Sequence, residues 1–520
     1  MERSGGGGQI AAKRAKPPDG GGQISAKRAK PPDGGEDRLS ALHDDLLLRI
    51  LVLLDTTEAA RTSVLACRWR SLWRDAPEVR FNPAPDGNRI RDALDARDDA
   101  TSSLRRISVT AKDAASDSVA AWLPSAARHL VGDLIYRVVG PKSSVNEEDE
   151  EDEDEEDEEE VVKEAGERGV VELPCFEKAS KMQLKLRYQR LAFPLQGVFN
   201  KLTSLLLSRV RFHGPGDLGN AVSEPHSPCL QKLCVLESRG LHNLSIHSKS
   251  LLKIKLFNLG RSLRQLTIVA PNLKKLGMAY CLFDNAHRKP VANISAPQMV
   301  SLAWVDAYDP QTVHLGNLGQ VQLLRTKIFW VYGSQVQREQ NQCLKFLQQF
   351  KVPRSLNLIL INQPDLDGYQ CLLGDITLPP QIMYMHLDIL NDGHAFGATL
   401  FKVLRMCSGL RRLSFEFYTN SDLEAQVTCP PGCICDEQEK WKTEEFLLNR
   451  LQIVEIIGLR GSQYEVSFVK QVFHWAKAVK WMKFTFNSSV SENMAKELCQ
   501  VFQSFSRPEI CMEFYNTSPN

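Results

Sequence analysis

Three short stretches hold residue types whose spacing could support chemistry. Gly214, Gly216 and Gly219 have the G-x-G-x-x-G spacing that lets a loop wrap a phosphate. That chemistry needs a helix directly behind the loop, its amino end facing the ligand. Residues 220–228 carry Pro225 and Pro228 with little helical periodicity, and Asp217 puts a negative charge in the loop, so the stretch reads as a connector. Cys429, Cys433 and Cys435 offer three thiolates. A structural zinc site wants four ligands in paired spacing, and the next histidine is His474, so the expectation is a turn of reduced cysteines with no metal. Residues 147–160 are fourteen consecutive acids, either a dock for a cationic surface or, the commoner case, a self-repelling insertion in a loop. No nucleophile elbow, Walker loop, zinc-hydrolase helix or paired-cysteine ring pattern occurs, and the eleven histidines are dispersed. The expectation is a chain with no catalytic residues and no cofactor.

The net charge of +1 conceals a segregation. Apart from the acidic run, the other 506 residues sum to +15, of which the first 36 supply +3 through seven Lys/Arg against four Asp/Glu. Those first 36 residues contain a tandem repeat of 14, residues 7–20 and 21–34, in a glycine-rich stretch that cannot bury a core and is expected to be disordered. Each copy carries a basic cluster, Lys13-Arg14-Lys16 and Lys27-Arg28-Lys30, readable as a nuclear import signal or as a solvated tail. No finger or recognition-helix motif appears and the acidic run repels polyanions, so nucleic acid is not an expected partner. No apolar run reaches the ~18 residues needed to span a bilayer, and residues 1–8 show no signal-peptide core, so no membrane role is expected. Thirteen unpatterned cysteines then point to reduced thiols, in the nucleus, the cytoplasm or both.

A leucine-dense segment must position whatever the chain docks. Residues 46–54 read LLLRILVLL, apolar around the whole circumference of a helix, and such a helix needs cover on every side. Asp55 with Glu58 resembles a capping box at the next helix start. A further helix carries Val64, Leu65, Trp69, Leu72 and Trp73. Residues 39–73 contain fifteen large apolar side chains, more than a unit of ~40 residues encloses alone. The surplus must meet a partner or the next domain.

Beyond Trp73 the pattern repeats. Strands are expected at Val79/Phe81, Ile107/Val109 and Leu134/Tyr136/Val138, with a helix over 118–130. A Leu-x-x-Leu-x-Leu template then fits Leu202/Leu205/Leu207, Leu230/Leu233/Val235, Leu251/Ile254/Leu256, Leu273/Leu276/Met278 and Met299/Leu302/Trp304, in steps of 28, 21, 22 and 26 residues. A second series, Leu241/Leu244/Ile246 and Leu263/Leu266/Ile268, interleaves it, so each coil is expected to carry a strand on both sides. Later copies fall at Leu318/Val321/Leu323, Ile382/Met385/Leu387, Leu410/Leu413/Phe415 and Leu451/Val454/Ile456. One coil cannot bury its own apolar face, so stacking is obligatory.

Residues 61–65 (Arg-Thr-Ser-Val-Leu) and 68–73 (Arg-Trp-Arg-Ser-Leu-Trp), behind the Asp37-Arg38-Leu39-Ser40 start, resemble the plant F-box. His43 stands where that family usually has proline, and Ala66-Cys67 replaces a common Ser-Lys. Residues 441–445 and 506–510, with alternating strands and helices over 451–515, resemble the FBD module that ends many plant F-box leucine-rich-repeat proteins. The resemblance implies an α/β chain: a disordered tail (1–36), a helical F-box cap (37–81), an irregular leucine-rich-repeat solenoid (82–428) with an acidic insertion (141–168), and an FBD-like module continuing the repeats (429–520). It implies a substrate-recognition subunit of an SCF-type cullin–ring ubiquitin ligase, with the F-box on a Skp-family adaptor and the repeats on a target protein. By motif position the adaptor-facing candidates are Leu39, Leu42, Leu46, Leu47, Ile50, Leu51, Val64, Leu65 and Trp69. The alternative is a ligase-independent nuclear scaffold acting through repeats, acidic loop and basic tail.

Overall fold

A computed structural model describes residues 42–64, 68–97, 103–112, 116–140, 169–214, 217–282, 289–306, 308–331, 345–350, 353–361, 378, 381–391, 394–418 and 439–516. The tandem repeat, the acidic run and the cluster at 429–435 lie outside these residues.

Helices α1 (Asp44–Leu53), α2 (Thr56–Arg61) and α3 (Trp69–Asp75), with a 3-10 turn at Thr62–Val64, make up the amino-terminal unit. Asp44 and Asp45 in the first turn of α1 oppose the positive end of the helix dipole. His43 precedes them at φ −66°, ψ 149°, and its carbonyl accepts from Leu46 and Leu47 N–H. The expected Asp55–Glu58 capping box does not form. Asp55 caps nothing with its side chain; its Oδ2 instead accepts from Asn82 N–H at 3.3 Å, and Glu58 is exposed. The carboxylate thus serves the joint to the next domain rather than its own helix.

Strand β1 (Glu78–Phe81) begins a parallel ladder. It runs through β2 (Leu104–Ala111), β3 (Leu130–Val138), β5 (Lys181–Ala192), β6 (Ser204–Phe212), β7 (Lys232–Leu236), β9 (Lys253–Phe257), β11 (Lys275–Ala279) and β13 (Ser301–Trp304). The ladder continues through β15 (Leu323–Trp330), β16 (Ser355–Ile361), β17 (Tyr384–Leu390), β18 (Arg412–Tyr418), β19 (Ile453–Leu459), β20 (Trp481–Phe486) and β21 (Cys511–Asn516). Short β4 (Val170–Glu172) pairs the end of β5. A second parallel sheet joins β8 (Asn243–His247), β10 (Gln265–Val269), β12 (Val291–Ser295) and β14 (Val313–Leu315). The two interleaved leucine series are therefore two sheets, and the inward residues of both share one continuous core. Each strand buries alternate positions, as Leu233/Val235, Ile254/Leu256 and Leu276/Met278 show.

The expected copy at Leu318/Val321/Leu323 is displaced. Leu324 and Thr326 pair with Leu302 and Trp304 and are buried with Val321, whereas Leu323 pairs with Ser301 and is exposed. A one-residue shift turns a side chain to the other face, and the two adjacent leucines make the sequence ambiguous there. Leaving the sheet also has a fixed geometry. Arg209, Glu237, Asn258 and Tyr280 occupy matching positions on consecutive strands of the ladder, and all four have left-handed φ, from 46° to 54°. Only Asn258 is of a residue type that tolerates this backbone readily, so the turn is imposed by the stacked coils rather than by local preference.

Helix α4 (Gly87–Asp95) and α5 (Ser116–His129) cover the first strands, with Trp122 buried edge-on to Tyr136. A five-residue helix α6 (Leu218–Val222) does follow the glycine loop, contrary to the expectation. Asp217 occupies its amino end, its carboxylate accepting from Gly219 N–H at 2.9 Å. A Cβ on Gly219 would stand 2.3 Å from the Ser245 carbonyl oxygen. That glycine serves close packing on β8, and the helix start already holds its own anion.

The carboxyl end keeps the same sheet and adds α7 (Gly397–Arg405), α8 (Gln463–Trp475) and α9 (Glu492–Phe505). Glu465 and Ser462 form a true capping box on α8. Trp441 and Trp475 meet edge-on at 5.9 Å in an aromatic cluster with Phe401, Phe446 and Phe468. Arg507 donates to the carbonyls of Phe473, Ala476 and Lys477, satisfying the end of α8.

Candidate docking site

The amino-terminal helices have a core separate from that of the sheets: Leu47, Leu51, Ala59, Trp69 and Leu72, with Leu42, Leu48, Leu54 and Trp73 half-buried against it. Of the nine adaptor-facing candidates, Leu47, Leu51 and Trp69 hold this core, and Leu42 and Ile50 are half-buried. Leu46 is 45% and Val64 86% exposed. Leu39 and Leu65, like the six basic residues of the tail, lie outside the described residues. Leu53, which the motif did not single out, is 79% exposed. It stands seven residues after Leu46, two helical turns along one face of α1, and that spacing was the available signal.

The apolar helix is thus not covered all round by the described residues. Leu46 and Leu53 make an outward stripe on α1, broken by exposed Arg49, and Val64 projects nearby in sequence at the 3-10 turn. Burying such side chains contributes ~1.5–3 kcal/mol each. Arg68 Nε donates to Asp44 at 2.7 Å, and the α2–β1 joint, where Thr56 Oγ1 accepts from Arg80 N–H at 2.8 Å, carries the stripe on the end of the solenoid.

A second polar assembly lies on the outer face of the main sheet, on β15, β17 and β18. His386 Nε2 stands 2.6 Å from Asp388 Oδ1 and 3.6 Å from Glu416 Oε2, and Arg325 approaches Asp388 Oδ2 at 3.4 Å. The hydrogen bond to Asp388, and then that to Glu416, hold the His386 imidazole up at about 9, and the Glu416 carboxyl is held low by His386. Burial, then the bond to Glu416, pushes the Tyr418 hydroxyl far above its ordinary range. One imidazole and two carboxylates within 4.8 Å of one another is a donor set that metals use. Here an imidazolium and a guanidinium already balance both carboxylates, so the charge is closed without an ion. Burial raises the thiols of Cys234, Cys281 and Cys407, the last to about 12, which disfavours thiolate chemistry at these three.

A small helical unit with an outward apolar stripe, mounted on a long parallel-strand solenoid, defines an adaptor-like architecture. The F-box domain family matches residues 39–80, and the family described as FBD-associated F-box protein At5g56370, LRR repeats, matches residues 171–321. The putative F-box/FBD/LRR-repeat protein At4g03220 of Arabidopsis thaliana is 26% identical over 477 residues, covering 87% of this chain and 89% of the relative. The F-box/FBD/LRR-repeat proteins At2g04230 and At5g18770 of the same plant are 51% and 52% identical over 59 and 47 residues, covering 11% and 9% of this chain and 13% and 10% of those relatives. The chain is an F-box protein with FBD-associated leucine-rich repeats, related to the Arabidopsis F-box/FBD/LRR-repeat proteins, a group of adaptors that is typically non-catalytic. Among the described residues no helix is long and apolar enough to cross a membrane.

Proposed function

We propose that this chain is the substrate-recognition subunit of an SCF-type cullin–ring ubiquitin ligase, itself without catalytic residues, metal or cofactor. The F-box docks on a Skp-family adaptor and the solenoid with its FBD-like end (429–520) holds a target protein. The observation that carries this is the outward stripe of Leu46 and Leu53 on α1, backed by a core that is complete without them. Within the candidate set, the contact surface narrows to Leu46 and Val64, joined by Leu53, while Leu47, Leu51 and Trp69 support it from inside. Holding the target beside the ligase replaces a bimolecular encounter with a tethered one, which is the whole catalytic contribution of such a subunit.

The alternative, a ligase-independent nuclear scaffold, would gain if His43 in place of proline distorted the start of the docking helix. His43 sits at φ −66°, the angle a proline ring would fix, so the substitution leaves the start of α1 in the geometry the F-box needs. This favours the ligase reading. Placement in the nucleus, by Lys13, Arg14, Lys16, Lys27, Arg28 and Lys30, or in the cytoplasm, is decided by imaging a fluorescent fusion with those six residues changed to alanine.

Co-elution of the full chain with a purified Skp-family adaptor in 0.5 M NaCl tests the proposal. An apolar contact persists at that salt, whereas a complex made by exposed charges on tail and acidic run dissolves. Dissolution would assign the contact to the scaffold reading.

A further inference from the structure

The outer face of strands β7, β9 and β11 is built from like charges. Lys232 pairs in register with Lys253, and Lys253 with Lys275, so three lysines stand side by side on adjacent strands whose backbones are about 4.8 Å apart. Lys255 stands two residues along the same face. All four are exposed, and no carboxylate among the described residues is ion-paired with any of them. Like charges directly opposite one another on neighbouring strands destabilise a sheet, and no carboxylate among the described residues offsets that by pairing with them. The surroundings deepen the charge: residues 181–282 contain sixteen Lys/Arg against three Asp/Glu, a net +13. Farther along the sheet the outer face changes character, and Asp388, Glu416 and Glu455 are each matched by a basic group. The in-register row of unpaired lysines, among the described residues, belongs to the earlier strands β7, β9 and β11.

An apolar element borders the lysines. Phe257, at the end of β9, meets Tyr280 edge-on at 5.8 Å, Tyr280 is 43% exposed, and the Lys255 ammonium lies 5.9 Å from the Phe257 ring. We propose that this face is the target-recognition surface and that its occupant is a short acidic segment of a partner protein, with carboxylates on Lys232, Lys253, Lys255 and Lys275 and an apolar side chain against Phe257 and Tyr280.

The chemistry favours carboxylates over nucleic-acid phosphates. Recognition of phosphate favours the planar fork of arginine, whereas the row consists of lysine point charges. Two arginines of these coils are already engaged, Arg209 with Glu237 at 2.7 Å and Arg239 over the Tyr188 ring. From Lys232 to Lys275 the row spans two strand spacings, about 10 Å, which suits a few acidic residues and not a long duplex.

This inference rests on the reading of the solenoid as the target-holding part, and its test leaves the adaptor out, so either can fail while the other stands. The probe is a fluorescein-labelled peptide of alternating Glu and Asp with one central Leu, titrated with the full chain in 50 mM NaCl and followed by anisotropy. Saturable binding is expected, weakening at least about tenfold at 300 mM NaCl. Charge reversal at Lys232→Glu, Lys253→Glu and Lys275→Glu together is expected to weaken it at least about tenfold, while the control Lys470→Glu, Lys477→Glu and Lys496→Glu, with the same net charge, leaves it within about twofold. Thermal melts of both triples verify that the fold is kept. Equal losses in the two triples, or no saturable binding by the parent chain, would overturn the proposal. Tighter binding of a DNA oligonucleotide of equal charge at the same salt would overturn the protein assignment in favour of nucleic acid. Binding that emerges only after removal of residues 147–160 would assign the face to the chain's own acids and overturn the partner assignment.

Discussion

The Thr56 hydroxyl accepts the main-chain N–H of Arg80 at 2.8 Å, fastening the second helix of the F-box to the first strand of the solenoid. Thr56 is buried, so the bond is made away from competing water. A tethering subunit needs this joint to be stiff, because the gain from proximity depends on how narrowly the target is held. Thr56→Val keeps the shape and leaves the Arg80 amide without its acceptor. The expected cost is ~1–3 kcal/mol, read as faster hydrogen exchange at Arg80 with the later strands unchanged.

His43 occupies a backbone conformation that proline would fix without strain, and no hydrogen bond is formed by its N–H among the described residues. His43→Pro is therefore expected to stabilise the F-box by about 0.4–1 kcal/mol, through the unfolded chain. A lower denaturation midpoint for the variant would contradict this.

The His386 assembly predicts a pH dependence. His386 faces Asp388 on its own strand, Glu416 and Tyr418 on β18, and Arg325 on β15, with uncharged Asn357 beside it on β16. Its folded pKa of about 9 lies above the ordinary ~6.5, so the folded form binds the proton more tightly. The stabilisation is complete below pH ~6.5 and is lost as pH rises through about 9. Unfolding free energies from urea titrations should be lower at pH 9.5 than at pH 6.5 in the parent chain, by on the order of 2 kcal/mol, and the difference should shrink in His386→Gln.

At Gly397, a Cβ would stand 2.2 Å from the Trp441 ring, inside the cluster that also holds Trp475. Gly397→Ala is expected to cost ~1–3 kcal/mol by overpacking, seen as a lower thermal midpoint and a changed tryptophan emission. Unchanged melting would mean that the Trp441 ring moves aside freely.

The repeat architecture was legible because burial in a stacked coil writes itself as a strict alternation: Leu233/Val235 and Ile254/Leu256 lie where the template put them. The strands expected at Val79/Phe81 and Ile107/Val109 form as β1 and β2 for the same reason. Register slipped at Leu323, where two neighbouring leucines fit the template equally well and only the pairing with Ser301 decides between them. Asp55 reads locally as a cap because its actual acceptor duty lies with Asn82, 27 residues away, a distance no local motif records. The docking surface is half legible. Composition announces an apolar surplus in the F-box, but which leucines face inward depends on how α1 lies against α3, so motif position alone does not separate Leu47, Leu51 and Trp69 from exposed Leu46 and Leu53. The His386 cluster was invisible, since its members come together only through the pairing of β17 with β18 and the approach of β15.

The central claim is that the outward face of α1 is completed by an adaptor, and the affinity of the full chain for a purified Skp-family adaptor tests it most directly. Leu46→Asp with Leu53→Asp is expected to weaken binding by at least about a hundredfold, the loss of two buried leucines, with the thermal midpoint unchanged. Retention of parental affinity by that folded double variant would contradict the account.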